Sequence, residues 1–342
     1  MHKQEPLILA IESSCDDTAA AVMKGEIPLS SIVSSQVAHS NFGGVVPEMA
    51  SREHMKNIRL VTSQALEQAG IFPQQLDAIA FTRGPGLPGS LMVGASFAKG
   101  MAMALGKPLI AVNHMEAHVL SLLMAERKPD FPYLCLVVSG GHTMLVLVKN
   151  WNEIDLLGQT RDDALGEAFD KCAKLLGLGY PGGRLIDELG AKGNPAAFGF
   201  PVARMPDYQF SYSGVKTSFL YFLREHDASW IETNLSDICA SIQDALLKPV
   251  ISAGKRALRE FRCGRIGIAG GVAANSRLRS LMADMCAEEK AGFFVPPMQY
   301  CTDNAGMIGR AAQFKYAQGI FCELSETTCS RMATGQDFRP VA

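Results

Sequence analysis

Residues Leu7–Met23 read LILAIESSCDDTAAAVM. Leu7–Ile11 is a short apolar run, small and polar residues follow, and Thr18–Met23 is apolar again. Such runs suit strands buried on both faces, and the residues between them suit a tight turn. The plan recurs about 125 residues later in Tyr133–Val148, YLCLVVSGGHTMLVLV. There Leu134–Val138 and Met144–Val148 are the expected strands, and Ser139-Gly140-Gly141-His142 is the turn. Each half of the chain therefore opens on a strand, a small polar turn and a second strand.

Outward from these hairpins, Ala78–Phe81, Leu109–Val112 and Arg265–Ala269 also read as strands. Helical periodicity covers Glu48–Gln68, Ser90–Leu105, Glu116–Met124, Ala164–Leu176, Leu235–Phe261, Arg277–Glu288 and Ala305–Ala317. Strands alternating with helices predict the α/β class. Duplicated, two-lobed ATPases of the actin/hexokinase type begin both halves in this way, with the two turns holding phosphates at a central nucleotide cleft. Two plain hairpins with no ligand would read the same. Charge and two prolines interrupt the periodicity in residues 125–132, AERKPDFP, which predicts an N-terminal lobe over 1–128 and a C-terminal lobe over 129–342. Residues Asn194–Gln209 read as an irregular excursion.

The chain has 342 residues, enough for two cores, and 48% of them are hydrophobic against 19% charged, which argues against extensive disorder. A net charge of -2 excludes a protein that binds polyanions through its overall charge, so any nucleic acid must meet a local basic patch or a partner's charge. Nine cysteines stand singly, with no C-x-x-C pair, and read as free thiols in a reducing cytoplasm rather than disulfides or a cysteine zinc site. The apolar stretch before Glu12 is too short for a signal peptide, and no run approaches the roughly 18 apolar residues of a membrane span.

His114 and His118 fall one helical turn apart in HMEAH, so both imidazoles can reach one cation, although two ordinary polar histidines would have the same spacing. Asp303, in CTDNAGMIG just before an apolar helical run, is the candidate third ligand; its alternative role is that of a helix N-cap. Two histidines and one carboxylate with open positions suit Zn(2+) or Fe(2+). The zinc-protease motif places its general base directly after the first histidine. Here Glu116 comes one place later, roughly 200° round the helix from each histidine, and faces away from a shared ion. Three glycine loops follow strands: TRGPGLPGSLMVG, VVSGGHT and IGIAGGVAANSRLRSLM. The first suits an anion at a helix N-terminus, the second leaves room for a phosphate, and in actin-like folds the third seats adenosine with Asn275 in reach of the base. Asp170 and Asp187 are candidate partners for ribose hydroxyls, with solvated helix faces as the alternative.

The motifs IESSCDDTA, VVPEMASREH, GPGLPGSLMVG, NHMEAH, VSGGHT, DDALGEAFDKCAKLLGLGYPGG, FSYSGVKT, AGGVAANSRLR and CTDNAGMIG together resemble the series of the TsaD/Gcp/YgjD/Kae family, from about residue 7 to residue 315. The resemblance implies the actin/hexokinase/Hsp70-like fold and an acyltransferase. Its expected reaction moves a threonylcarbamoyl group from threonylcarbamoyl-AMP to the exocyclic amine of the adenosine 3′ to the anticodon, in tRNAs reading ANN codons. It further implies that His114, His118 and Asp303 hold a divalent metal, with Fe(2+) ahead of Zn(2+). Val137, Val138, Ser139, Gly140, Gly141, Asp170, Gly183, Asp187 and Asn275 are then expected to hold the threonylcarbamoyl-AMP or an adenine nucleotide. FSYSGVKT has the bacterial form, which implies tRNA, TsaB and TsaE as partners, TsaC as the source of the donor, and no membrane. Two departures are visible, Arg184 where a second proline is common and Cys172 in place of threonine or valine; neither is a proposed ligand.

No general base follows from the sequence; Glu12, at the end of the first strand, is a weak candidate. Three rival functions share parts of the pattern: a metalloprotease, a small-metabolite kinase of the same fold, and an Hsp70-like interaction module. The orientation of Glu116 counts against the first, and neither of the others needs the histidine pair.

Overall fold

The computed structural model describes residues 5–36 and 45–332. Residues 1–4 of the amino-terminal stretch, and 333–342 of the expected second lobe, lie outside the described residues. The chain forms two compact units, one from the residues up to Glu126 together with those from Pro296 on, the other from Arg127–Val295.

The first unit contains β1 (Leu7–Glu12), β2 (Asp17–Lys24), β3 (Ile27–Ser35), β4 (Ala78–Gly84) and β5 (Leu109–Asn113), in sheet order β3-β2-β1-β4-β5. The second contains β6 (Tyr133–Val138), β7 (Thr143–Asn150), β8 (Glu153–Gln159), β9 (Arg265–Ala269) and β10 (Gly292–Phe294), in order β10-β9-β6-β7-β8. Read from the other edge, the second order is the first one again. In both sheets the opening strand pairs antiparallel with the next and parallel with the fourth. The internal duplication seen in the two hairpins thus extends to all five strands. The strands absent from the sequence reading, β3, β8 and β10, are all edge strands. Strands β3 and β8 mix polar with apolar residues and so lose the continuous apolar signature, while β10 is only three residues long.

Helices of the first unit are α1 (Pro47–Ala69), α2 (Pro88–Leu105), α3 (His114–Leu120) and α10 (Ala305–Ala317); the second has α4 (Leu165–Leu175), α5 (Gly182–Gly190), α6 (Ser213–Arg224), α7 (Ala228–Thr233), α8 (Leu235–Glu260) and α9 (Ser276–Glu288). On one face of the first sheet Leu9, Ile11, Val22, Ile79 and Phe81 pack with Ile58, Val61 and Ala65 of α1 and Ala95, Ala98 and Ala102 of α2. Ile8, Ala10 and Met23, which alternate with these, are equally buried and need a cover of their own. That cover is α10, whose Gly309 stands so near the sheet that a Cβ there would lie 2.4 Å from Met23 Cγ.

This corrects the expected lobe boundary: the segment from Pro296 on belongs with the first unit, not the second. The periodicity of α10 shows that it is an amphipathic or buried helix but not which sheet it covers. Among the described residues no helix is long and apolar enough to cross a membrane.

Gly309→Val places methyl groups against Met23 and Ala10. We expect a loss of about 1–3 kcal/mol, read as a lower midpoint in calorimetric unfolding; an unchanged midpoint contradicts the packing described.

Candidate metal centre and phosphate turn

Strand β5 runs directly into α3. Asn113 caps that helix, its side-chain oxygen accepting from the amides of Met115 (2.8 Å) and Glu116 (3.2 Å). All seven residues of α3 are buried, an unusual setting for a helix carrying two histidines and a glutamate. His114 and His118 stand edge to face with ring centroids 4.6 Å apart. Asp303 lies in the loop before α10, and its Oδ1 is 3.0 Å from His118 Nε2 and 3.5 Å from His114 Nε2. Asn304, not Asp303, caps α10, accepting from the Met307 amide at 2.9 Å. The aspartate is therefore left to face the histidines.

The three side chains offer ligand atoms within 4.8 Å of one another. Ligands about 2.0–2.2 Å from a common ion lie roughly 3–3.5 Å apart in tetrahedral or octahedral shells, so the donor set fits a divalent ion with small adjustments. The Nδ1 of His118, buried and with no hydrogen-bond partner, fits less well, because a histidine bound through Nε2 carries its proton there.

Behind His114 stands Glu12, fully buried at the end of β1. Its Oε2 is 3.0 Å from His114 Nδ1 and accepts from the Thr82 hydroxyl at 2.6 Å, while Oε1 accepts from the Ser14 amide at 2.5 Å. With both oxygens occupied, Glu12 is placed to orient His114 and fix its tautomer, the arrangement usual behind a metal-binding imidazole. Ser14, in the motif IESSCDDTA, is only two residues from Glu12, whereas the part of Thr82 appears only once β1 and β4 are paired.

Burial disfavours charge throughout this cluster, yet the carboxylates of Glu12 and Asp303 outweigh it and hold His114 well above the ordinary histidine range. Burial likewise opposes the charge of Asp303, but His114 and His118 keep it well below the usual carboxylate range. Burial pushes His118 below its ordinary value, against the bond to Asp303. The buried Glu12 and the partly exposed Asp303 around the two imidazoles form a site that favours positive charge. Glu116 points elsewhere: it is buried and its Oε2 lies 3.8 Å from Lys315 Nζ.

In the second unit, the turn between β6 and β7 is closed by the Ser139 amide on the His142 carbonyl (2.8 Å) and the His142 amide on Ser139 Oγ (3.1 Å). Gly140 and Gly141 are exposed, whereas the side chains of Val137 and Val138 are fully buried and leave only main chain for a ligand. The first turn of α4 abuts this loop through Gly166, where a Cβ would lie 2.7 Å from the Ser139 carbonyl oxygen. Asp170, also on α4, accepts from the Gly182 amide at 2.7 Å, next to Gly183 at the start of α5. Asp187, on α5, accepts from the amide and hydroxyl of Ser276 (2.8 and 2.9 Å) and from Gln243 (2.7 Å). Asn275 caps α9, accepting from the Leu278 amide. The structure thus groups Ser139–Gly141 with Asp170 and Gly183 through α4, and Asp187 with Asn275 at the head of α9. Gly166, Ser276 and Gln243 are the contributors that sequence reasoning missed. Of these, Gly166 and Ser276 fall within the motifs DDALGEAFDKCAKLLGLGYPGG and AGGVAANSRLR, and Gln243 in none.

A family model described as "TsaD: tRNA N6-adenosine threonylcarbamoyltransferase" matches residues 28–310. The chain is 46% identical over 338 residues to the tRNA N6-adenosine threonylcarbamoyltransferase of Porphyromonas gingivalis, covering 96% of this chain and 99% of that one. Its identity with the protein of the same name from Christiangramia forsetii is 50% over 339 residues, covering 97% and 99%. The chain belongs to the TsaD family.

Membership makes it a transferase that places a threonylcarbamoyl group on N6 of adenosine in tRNA. Solved structures give the fold. Full-length HypF in its phosphate- and nucleotide-bound form superposes with a TM-score of 0.61 at 12% identity, over 94% of this chain and 48% of that one. The chain thus spans about half the length of HypF. Component A of (R)-2-hydroxyglutaryl-CoA dehydratase from Acidaminococcus fermentans gives 0.55 at 16% identity, covering 92% and 98%. These likenesses establish the actin/hexokinase-like architecture expected from the two hairpins.

Glu12→Gln keeps the shape but weakens the hold on His114, and we expect metal affinity to fall about 10–100-fold in a chelator competition. Because the metal must displace a proton from His114, held above its ordinary value of 6.5, affinity is expected to keep rising with pH beyond 6.5. A flat profile from pH 6 to 8 contradicts this assignment.

Proposed function

We propose that this TsaD-family chain takes threonylcarbamoyl-AMP as donor, modifies the adenosine 3′ to the anticodon in tRNAs reading ANN codons, and releases AMP, in the cytoplasm. The observation that carries the reading is the convergence of His114, His118 and Asp303 with Glu116 turned away. That arrangement supports a metal-dependent acyl transfer and removes the general base a metalloprotease would need. Fe(2+) suits two histidines and one carboxylate with open positions, and Zn(2+) suits them equally by donor type.

The amine of adenine is a poor nucleophile, because its lone pair is delocalised into the ring. Transfer therefore depends on an activated carbonyl and a held geometry. In the reaction the N6 nitrogen bonds to the carbamoyl carbon, the bond from that carbon to the phosphate oxygen of AMP breaks, and N6 loses a proton. His114, His118 and Asp303 would hold a divalent ion, which would supply Lewis acidity toward the threonylcarbamoyl group. Glu12 keeps the proton on His114 Nδ1, so that Nε2 presents its lone pair; this use accounts for both its oxygens and argues against a role as general base.

The exposed amides of Gly140 and Gly141 suit the phosphate of the donor and the charge that grows as AMP departs. Gly166 lets the positive N-terminus of α4 stand directly behind that turn. Asp170 and Asp187 act here as organisers, joining α4 to α5 and α5 to α9. Asn275 remains the residue assigned to the adenine. TsaC is the proposed supplier of the donor, with TsaB and TsaE as accessory partners.

Incubation of the protein and these partners with threonine, bicarbonate, ATP and tRNA, followed by nucleoside mass analysis, is expected to yield threonylcarbamoyladenosine. His114→Ala should reduce the yield at least about 100-fold, as for loss of a catalytic metal's ligand or its neighbours. Full activity of that variant contradicts the proposal. Gly166→Val, which drives α4 from the phosphate turn, should raise the KM for the donor while leaving metal content unchanged.

A further inference from the structure

The pair formed by the buried Glu116 and the half-buried Lys315 is not accounted for by the reaction. Glu116 lies on α3 between the two histidines and on the opposite side of the helix, and Lys315 lies in the last turn of α10. Besides the 3.8 Å approach to Glu116, Lys315 Nζ donates to the Ala111 carbonyl at 3.0 Å. Ala111 is on β5, three residues before His114. One ammonium group therefore ties the end of α10 to both sides of the β5–α3 corner.

The other end of α10 carries Asp303, which meets His118 and His114. Asn304, Ile308, Ala311 and Lys315 fall on one stripe of that helix, at intervals of four, three and four residues. The stripe joins the residue next to Asp303 to Lys315, about 16 Å along the axis at 1.5 Å per residue. The helix that bears two ligands is thus attached near both ends of the helix that leads from the third. A seven-residue helix is too short to hold its own orientation and takes it from tertiary contacts.

We propose that the Glu116–Lys315 pair is a brace that sets the position of α3 along α10 and so brings Asp303 within reach of an ion held by the histidines. Glu116 and Lys315 are positioning residues; neither touches substrate or metal. The inference rests on the metal reading of His114, His118 and Asp303. The loss of one fixed attachment lets α3 turn or slide on α10, and the ligand most affected is the one supplied from a different element.

Co(2+) serves as the probe, because its visible absorption reports the number and geometry of its ligands as well as its affinity. The full-length wild type is expected to bind one Co(2+) with an intense spectrum. Glu116→Gln and Lys315→Met should each bind it about tenfold more weakly, with a weaker spectrum typical of a ligand replaced by water. Lys315→Arg, which keeps the cation, should restore both. Because a single variant leaves one buried charge unpaired and can fail to fold, the double variant E116Q/K315M is included. It removes both charges together and should fold, yet show the same weakened affinity and spectrum.

A purely structural pair would lower the unfolding temperature of these variants and leave the Co(2+) spectrum and affinity of the folded protein as in the wild type. That result, in either single variant or in the double variant, overturns the proposal. Failure of the wild type itself to bind Co(2+) overturns the metal reading first, and the brace with it, so the two failures are told apart by the wild-type control.

Discussion

The first sheet is apolar on both faces, and that constraint organises the site. Leu9 and Ile11 face α1 and α2, while Ile8 and Ala10 face the other way and cannot be left in water. Among the described helices of the first 126 residues, α1 and α2 are committed to the opposite face, and α3 has only seven residues. The chain supplies α10 instead, from beyond the whole second unit. The loop that leads into α10 is thereby delivered to the ends of β1 and β5, and it brings Asp303 to His114 and His118. Hydrophobic burial brings together His118 and Asp303, which are separated by 185 residues in the chain.

Parallel pairing then decides which side chains meet. Strands β1, β4 and β5 run the same way, so Glu12, Thr82 and Asn113 lie near their carboxyl ends together. This is the edge at which α/β sheets present their functional groups. The result is a set of two histidines and Glu12, all buried, with the partly exposed Asp303, in which each charge is held by a neighbour. Such a set is costly to bury unless every member is paired, and the one atom without a partner, His118 Nδ1, belongs to a ligand.

Much of this was legible in the sequence. The apolar runs Leu7–Ile11 and Leu134–Val138 mark the strands that open both halves, and the one-turn spacing of His114 and His118 brings their rings together beside Asp303. The helical angle of Glu116 foretold that it faces away. Other features were hidden for identifiable reasons. The edge strands β3 and β8 carry mixed polar and apolar residues, and β10 is too short at three residues to show a pattern. The place of α10 could not be read, because amphipathic periodicity does not say against which sheet a helix packs. Glu12 read as a base because its sequence position shows an acid at a strand end; only pairing with β4 reveals that Thr82 joins Ser14 in occupying it. Asp170 and Asp187 read as ribose partners, and the helix N-termini they hold, at Gly182 and Ser276, become visible only in three dimensions.

The account stands on one ion held by three side chains from two distant parts of the chain. X-ray absorption at the metal edge of the purified, metal-loaded protein tests it most directly. The expected shell contains two imidazole nitrogens and at least one carboxylate oxygen at about 2.0–2.2 Å, with one imidazole lost in His118→Ala. A shell without imidazole scattering, a sulfur ligand from a cysteine, or an unchanged spectrum in that variant contradicts it.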